Sequence, residues 1–191
     1  SGANVSGGED TTIALNFDAA LSDTDGSETL GVVISNVPTG ASLSAGTDNG
    51  DGSWTVTSDE LDGLSITPPT NFSGSFDLTI TATTWDGADS ASASSTATVN
   101  VTGVADAASL QATDATGNEN STIALDFDAT LTDTDGSETL SLTVSGVPAG
   151  ATLSAGTDNG DGSWSLEAGD LEGLTITPAN GYHGSVDLQL A

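Results

Sequence analysis

The segment Asp23-Thr24-Asp25-Gly26-Ser27-Glu28 places three carboxylates within six residues, and it returns unchanged as Asp133-Thr134-Asp135-Gly136-Ser137-Glu138. Closely spaced carboxylates around a glycine turn suit calcium, which takes about six to eight hard oxygen ligands in flexible geometry. Magnesium fits less well, because it holds to a stricter octahedron and keeps several waters. The loop is not an EF-hand: its Glu comes too early and no helical pattern flanks it. The chain has 28 acidic residues and neither Lys nor Arg, so no such side chain can neutralise these groups. Against the metal reading stands a plainer one, since Asp and Gly also dominate turns for backbone reasons alone.

Such loops need elements to hold them. At an offset of 110 residues, positions 11–81 align with 121–191 without a gap and are identical at about 43 of 71 pairs, which marks a tandem repeat of one unit near the usual domain size. Residues 1–104 are expected to form the first domain and 105–191 the second. The second is incomplete at its C-terminus, because 82–104 have no counterpart in it. An unfinished sheet leaves an open edge and an exposed core face. The chain is then either a window of a longer array or a unit completed by a neighbour's strand.

Short Thr, Val, Ile and Leu runs alternate with Gly, Asp, Asn and Pro clusters, and no window has a helical period. This predicts an all-β fold of antiparallel sandwiches. First-repeat strands are expected near residues 12–21, 29–37, 41–45, 53–57, 64–68, 74–84 and 91–101. Ile13, Leu15, Phe17, Ala19 and Leu21 occupy alternate positions and mark one buried face, repeated over 123–131. Trp54, Trp164, Phe72 and Tyr182 read as core or corner residues. The acidic turn at 48–52, repeated at 158–162, carries the Asn-Gly and Asp-Gly signals of a hairpin. Residues 103–107 form a short connector.

Composition excludes several functions. A formal net charge of −28 repels nucleic acid and anionic membranes, both of which need Lys or Arg to displace counterions. Without Cys there is no disulfide or thiolate chemistry, and no apolar run is long enough for a membrane-spanning helix. The sole histidine, His183, aligns with Ser73, so no repeated acid–base site includes it. Paired carboxylates that hydrolyse glycosides need a cleft and one acid of raised pKa, which turn acids do not offer. The chain reads as no enzyme.

Three stretches carry a resemblance: Gly8-Glu9-Asp10-Thr11 before the first clear strand, 22–30 after it, and Val37-Pro38-Thr39-Gly40-Ala41-Ser42-Leu43 beyond. The second repeat shows Asn118-Glu119-Asn120-Ser121, 133–140 and 147–153. Together they resemble the cadherin-like, immunoglobulin-like repeats of giant bacterial RTX adhesins exported by type I secretion. The resemblance implies tandem immunoglobulin-like sandwiches on a cell surface. It also implies Ca2+ ions held where one repeat meets the next. Carried over by position, Glu9, Glu60 and Asp62 would face Asp106, Asp133, Asp135 and Glu138. Asp86 and Asp89 would complete an equivalent set with Asp23, Asp25 and Glu28, and Glu119 repeats the role of Glu9.

The expected function is a calcium-rigidified extender that projects a distal adhesive domain, its partners being neighbouring repeats or protomers of the same kind. Two alternatives have their own marks. A surface filament closed by strand donation would use the unfinished second unit, and a sugar-binding adhesive module would use Trp85, the aromatic free to serve as a platform.

Overall fold

The structure is a computed structural model and describes residues 4–21 and 26–191. It divides into Ser1–Val104 and Ala105–Ala191. The regular helical structure among the described residues amounts to single 3-10 turns at Asp59–Leu61 and Ala168–Asp170, and the rest is strand, turn and coil.

In the first unit the strands are β1 (Val5–Gly8), β2 (Ile13–Ala14), β3 (Glu28–Ser35), β4 (Ser42–Leu43), β5 (Thr47–Asp48), β6 (Trp54–Val56), β7 (Ser65–Thr67), β8 (Gly74–Asp86) and β9 (Asp89–Thr102). One sheet runs β1-β9-β8-β3-β6-β5 and the other β2-β7-β4. Period-2 alternation sends Val32 and Ile34, Leu78 and Ile80, and Ala97, Val99 and Val101 inward from the larger sheet. Ile13, Leu43 and Ile66 meet them from the smaller one. With β2-β7-β4 packed against β3, β8 and β9, the unit is an immunoglobulin-like sandwich. Each fully buried Val or Leu contributes about 1.5–3 kcal/mol relative to exposure, so a core this thin depends on every alternate position. β1 joins β9 in parallel, Val5 opposite Val99 and Gly8 opposite Thr102. This is the exception to antiparallel pairing among the described strands.

The second unit has β10 (Ser109–Thr113), β11 (Ile123–Ala124), β12 (Asp126–Thr130), β13 (Leu142–Ser145), β14 (Thr152–Leu153), β15 (Thr157–Asp158), β16 (Trp164–Leu166), β17 (Thr175–Thr177) and β18 (Gln189–Leu190). Its sheets are β15-β16-β13-β18, β11-β17-β14 and the pair β10-β12. Leu142, Val144, Leu153, Leu166, Leu174 and Ile176 form its core.

Two sequence expectations need correction. The strand expected over 12–21 shrinks to Ile13–Ala14, although Leu15 still donates to the Leu64 carbonyl at 2.8 Å. Its equivalent in the second repeat does form β12, because β10 pairs with it from Ser109 opposite Thr130 to Thr113 opposite Asp126. The first-repeat residues aligned with β10 number 3 and below, outside the described residues. Strands β1 and β5 were also not anticipated, being short and rich in Gly, Ser and Asp.

The 48–52 turn is a hairpin closed by its own side chains. Gly50 N–H donates to Asp48 at 2.8 Å, and both Ser53 N–H (3.1 Å) and Ser53 Oγ (2.6 Å) donate to Asp51. The second repeat reproduces each bond. Glycine serves a stated need here, since Gly50 and Gly52 both sit at φ 81°. Trp54, Phe72 and Trp164 are partly buried against their cores. Tyr182 is half-buried and donates its hydroxyl to the Ser185 carbonyl at 2.7 Å.

Candidate metal centre in the acidic loop of the second unit

The loop 133–138 lies between β12 and β13. Asp133 accepts the N–H of Asp135 at 2.8 Å, and Asp135 accepts the N–H of Ser137 at 2.7 Å, so each carboxylate folds the backbone two residues onward. Gly136, at φ 95°, makes the turn that this requires. Local geometry accounts for part of the motif. It does not account for burial: Asp133 is 2% exposed. An oxygen of Asp133 also lies within 4.8 Å of one of Asp135.

Glu138 adds the decisive detail. Its Oε1 accepts the N–H of Asp106 at 2.6 Å, while Oε2 is buried and has no hydrogen-bond partner. Thr132 holds the same segment, its hydroxyl donating to the Ala107 carbonyl at 2.7 Å. The connector is thus laced to the loop at two successive residues. Burying an anionic oxygen without a partner costs several kcal/mol. In a chain with no Lys or Arg, a cation arriving from solvent is one way to offset that cost. Asp133 and Asp135 bring carboxylate oxygens within 4.8 Å of one another, Glu138 closes the same loop, and hard oxygens of this kind are what calcium takes.

In the first unit Glu9 follows β1. Its Oε1 accepts the N–H of Val104, its own N–H donates to the Thr102 carbonyl at 3.0 Å, and its Oε2 is buried without a partner, in a residue 3% exposed. Asp10 aims this glutamate. It takes φ 54° and accepts the N–H of Asn71 at 3.0 Å, while Thr11 Oγ1 closes the turn on the Gly8 carbonyl at 2.6 Å. Asn120 repeats this on Gly181 at 2.8 Å, and Ser121 repeats it on Asn118 at 2.6 Å. This anchoring was missed from sequence, where only the glutamate was singled out. The shared Asp/Asn followed by Thr/Ser was its available signal. Glu119, the counterpart of Glu9, is exposed, and the residues that would correspond to Thr102 and Val104 lie beyond 191.

Glu28, Asp86 and Asp89 lie on three neighbouring strands of the first unit in one register, Glu28 opposite Asp86 and Asp86 opposite Asp89. Like charges set directly opposite destabilise a sheet, so this row too favours a counter-cation. Asp23 and Asp25 lie outside the described residues. Glu60 is engaged in its own turn: Oε2 accepts Thr57 N–H at 2.8 Å and Thr57 Oγ1 at 2.9 Å. Those bonds, the backbone one first, hold its carboxyl below the ordinary value. Asp62 is exposed. The Ser53 and Ser163 hydroxyls, followed by their N–H groups, likewise lower Asp51 and Asp161. These acids stabilise turns. His183 is exposed, with Nδ1 3.3 Å from the Gly181 carbonyl.

No family model matches the chain, and no curated protein matches it either. Among solved structures it is similar to the FN1–FN3 domains of chicken CNTN1, at 9% identity and a TM-score of 0.28, covering 98% of this chain and 56% of that one. It is also similar to the adhesin InvE of Yersinia pseudotuberculosis, at 15% identity and a TM-score of 0.26, covering 98% and 52% respectively. The chain therefore spans about half of each. At such scores neither likeness bears on what the chain does.

Proposed function

We propose that this chain is an extender segment of a bacterial cell-surface adhesin of the cadherin-like RTX type, whose tandem sandwiches are stiffened by calcium outside the cell. The observation that carries the proposal is Glu138: one oxygen grips the connector amide of Asp106 and the other is buried without a partner, in the same loop as the buried Asp133. Calcium supplies the missing positive charge when bound. The chain's own residues do the rest: Glu138 and Thr132 hold the connector, the Asp133 and Asp135 turns preset the loop, and Gly136 permits its bend. Removing the charge imbalance makes these contacts persistent, and a persistent connector is what an extender needs.

Hydrogen exchange with and without calcium tests this reading. The amides of 104–107 and 133–138 should exchange markedly more slowly in millimolar calcium than in EDTA. Equal exchange in both would refute it.

Trp85 supports a second reading. It is 43% exposed and lies over Gly31, where a methyl group would come within 2.8 Å of the ring. An exposed ring on a Thr/Ser-rich sheet is a possible sugar platform. Glycan-array binding that is lost on Trp85→Ala would support it; no binding would dismiss it.

A further inference from the structure

Three Asn-Gly pairs occur in the chain, at 49–50, 159–160 and 180–181. Asn in this setting readily loses its side-chain amide, because glycine leaves the following backbone nitrogen unshielded. That nitrogen attacks the Asn Cγ, its proton passing by way of solvent to the departing ammonia as the bond from Cγ to the side-chain nitrogen breaks. Water then opens the resulting succinimide to aspartate or isoaspartate. The reaction needs nothing but water, so the local fold decides which of the three pairs reacts.

Two of the pairs are clamped. Asn49 Nδ2 donates to Ser53 Oγ at 2.9 Å and to Thr55 Oγ1 at 3.2 Å, and its Oδ1 accepts the Thr55 hydroxyl at 3.3 Å. Asn159 repeats the set, donating to Ser163 at 3.0 Å and Ser165 at 3.1 Å and accepting from Ser165 at 3.2 Å. Attack requires the carboxamide to swing onto the backbone nitrogen, which breaks these bonds. The nitrogens of Gly50 and Gly160 also donate to the carboxylates of Asp48 and Asp158, both at 2.8 Å. A negative charge beside an N–H opposes the loss of its proton. Asn180 has neither restraint. Among the described residues its side chain makes no hydrogen bond, and the Gly181 N–H donates at 2.8 Å to the uncharged amide oxygen of Asn120. All three asparagines are exposed, so access to water does not separate them. Thr70, the counterpart of Asn180, is exposed as well, so the turn is open in both repeats.

We propose that Asn180 is the deamidation site of the folded chain, and that the hairpins 48–55 and 158–165 guard Asn49 and Asn159 against the same reaction. The product alters a contact of the second unit. The Gly181 amide holds Asn120, whose turn is closed by Ser121 Oγ on the Asn118 carbonyl at 2.6 Å. Isoaspartate adds a methylene to the backbone between 180 and 181, which draws this amide away from Asn120. The first unit makes the same anchor from Asn71 N–H to Asp10 at 3.0 Å, but Thr70 precedes it and has no carboxamide to lose. The modification is therefore specific to the second repeat. The proposal does not depend on the calcium reading.

Incubation of the full 191-residue chain at mildly alkaline pH, with and without urea, followed by peptide mapping, tests it. Chymotrypsin is the protease, since the chain offers trypsin neither Lys nor Arg. In the folded chain Asn180 should convert at least about tenfold faster than Asn49 or Asn159, whose reaction waits on opening of the hairpin. In urea the three rates should converge, each pair being then the same dipeptide in an open chain. Asn180→Thr, which installs the residue of the first repeat, should remove the fast native phase. Equal native rates at the three sites, a native difference that persists undiminished in urea, or a fast phase that survives Asn180→Thr would each overturn the proposal.

Discussion

Replacing Asp133 by Asn separates a metal ligand from a turn former. Asn keeps the side-chain carbonyl that accepts the Asp135 N–H at 2.8 Å, so the turn survives. What is lost is a charge on a residue 2% exposed, near an Asp135 oxygen within 4.8 Å. In EDTA the variant should therefore equal or exceed the parent, by up to about 1 kcal/mol from relieved repulsion. In calcium the order should reverse. At an extracellular-module affinity of about 0.1–1 mM, roughly 10 mM calcium stabilises the parent by about 1.4–2.7 kcal/mol. For a domain of this size that is about 6–20 °C in melting temperature. The variant should lose more than about half of this gain. The assay is thermal unfolding followed by hydrogen exchange in peptides of 142–166, which report the second unit alone. An equal shift of the variant in both media, or an undiminished calcium gain, would refute the reasoning.

Other outcomes follow from the same contacts. Glu9→Ala should destabilise the first unit by about 1–3 kcal/mol in urea unfolding, because it removes the carboxylate that accepts the Val104 N–H just past β9, and Glu9→Gln should cost less, as it retains an acceptor. Asp51 and Asp161 have folded pKa values below their unfolded ones, so their contribution is complete above the unfolded value near 3.8 and is lost as pH falls through the folded one. Asp161→Asn should therefore flatten the acid limb of the second unit's stability curve, lowering stability at neutral pH and converging with the parent in acid. Leu78→Ala should cost about 2–5 kcal/mol, since Leu78 is 0% exposed, whereas Leu188→Ala, at the half-buried equivalent site, should cost markedly less.

Much of the fold was legible because period-2 alternation and turn chemistry are local. Val32 and Ile34, or Leu78 and Ile80, announce an inward face without reference to any partner. The turn Asp-Asn-Gly-Asp-Gly likewise names a hairpin by its glycines. Pairing is not local, and there the sequence was weaker. Residues 126–130 form a strand whose partner, β10, lies 13 to 21 residues earlier in the chain. β1, with Ser and Gly in four residues, is a strand only because β9 runs beside it. The acidic loop was legible as a cluster, while the separation of turn acids such as Glu60 and Asp51 from the buried Asp133 and Glu138 was not. That separation depends on which carboxylates the fold removes from water, and residue type does not encode it.

The most direct measurement is a structure of the chain determined with calcium, inspected at Asp133 and Glu138. The account predicts a calcium ion with oxygen ligands at about 2.3–2.6 Å that include carboxylates of Asp133 and Glu138. Water alone at Glu138 Oε2 in saturating calcium, with ions bound only at exposed acids elsewhere, would show that the loop is a turn and no metal centre.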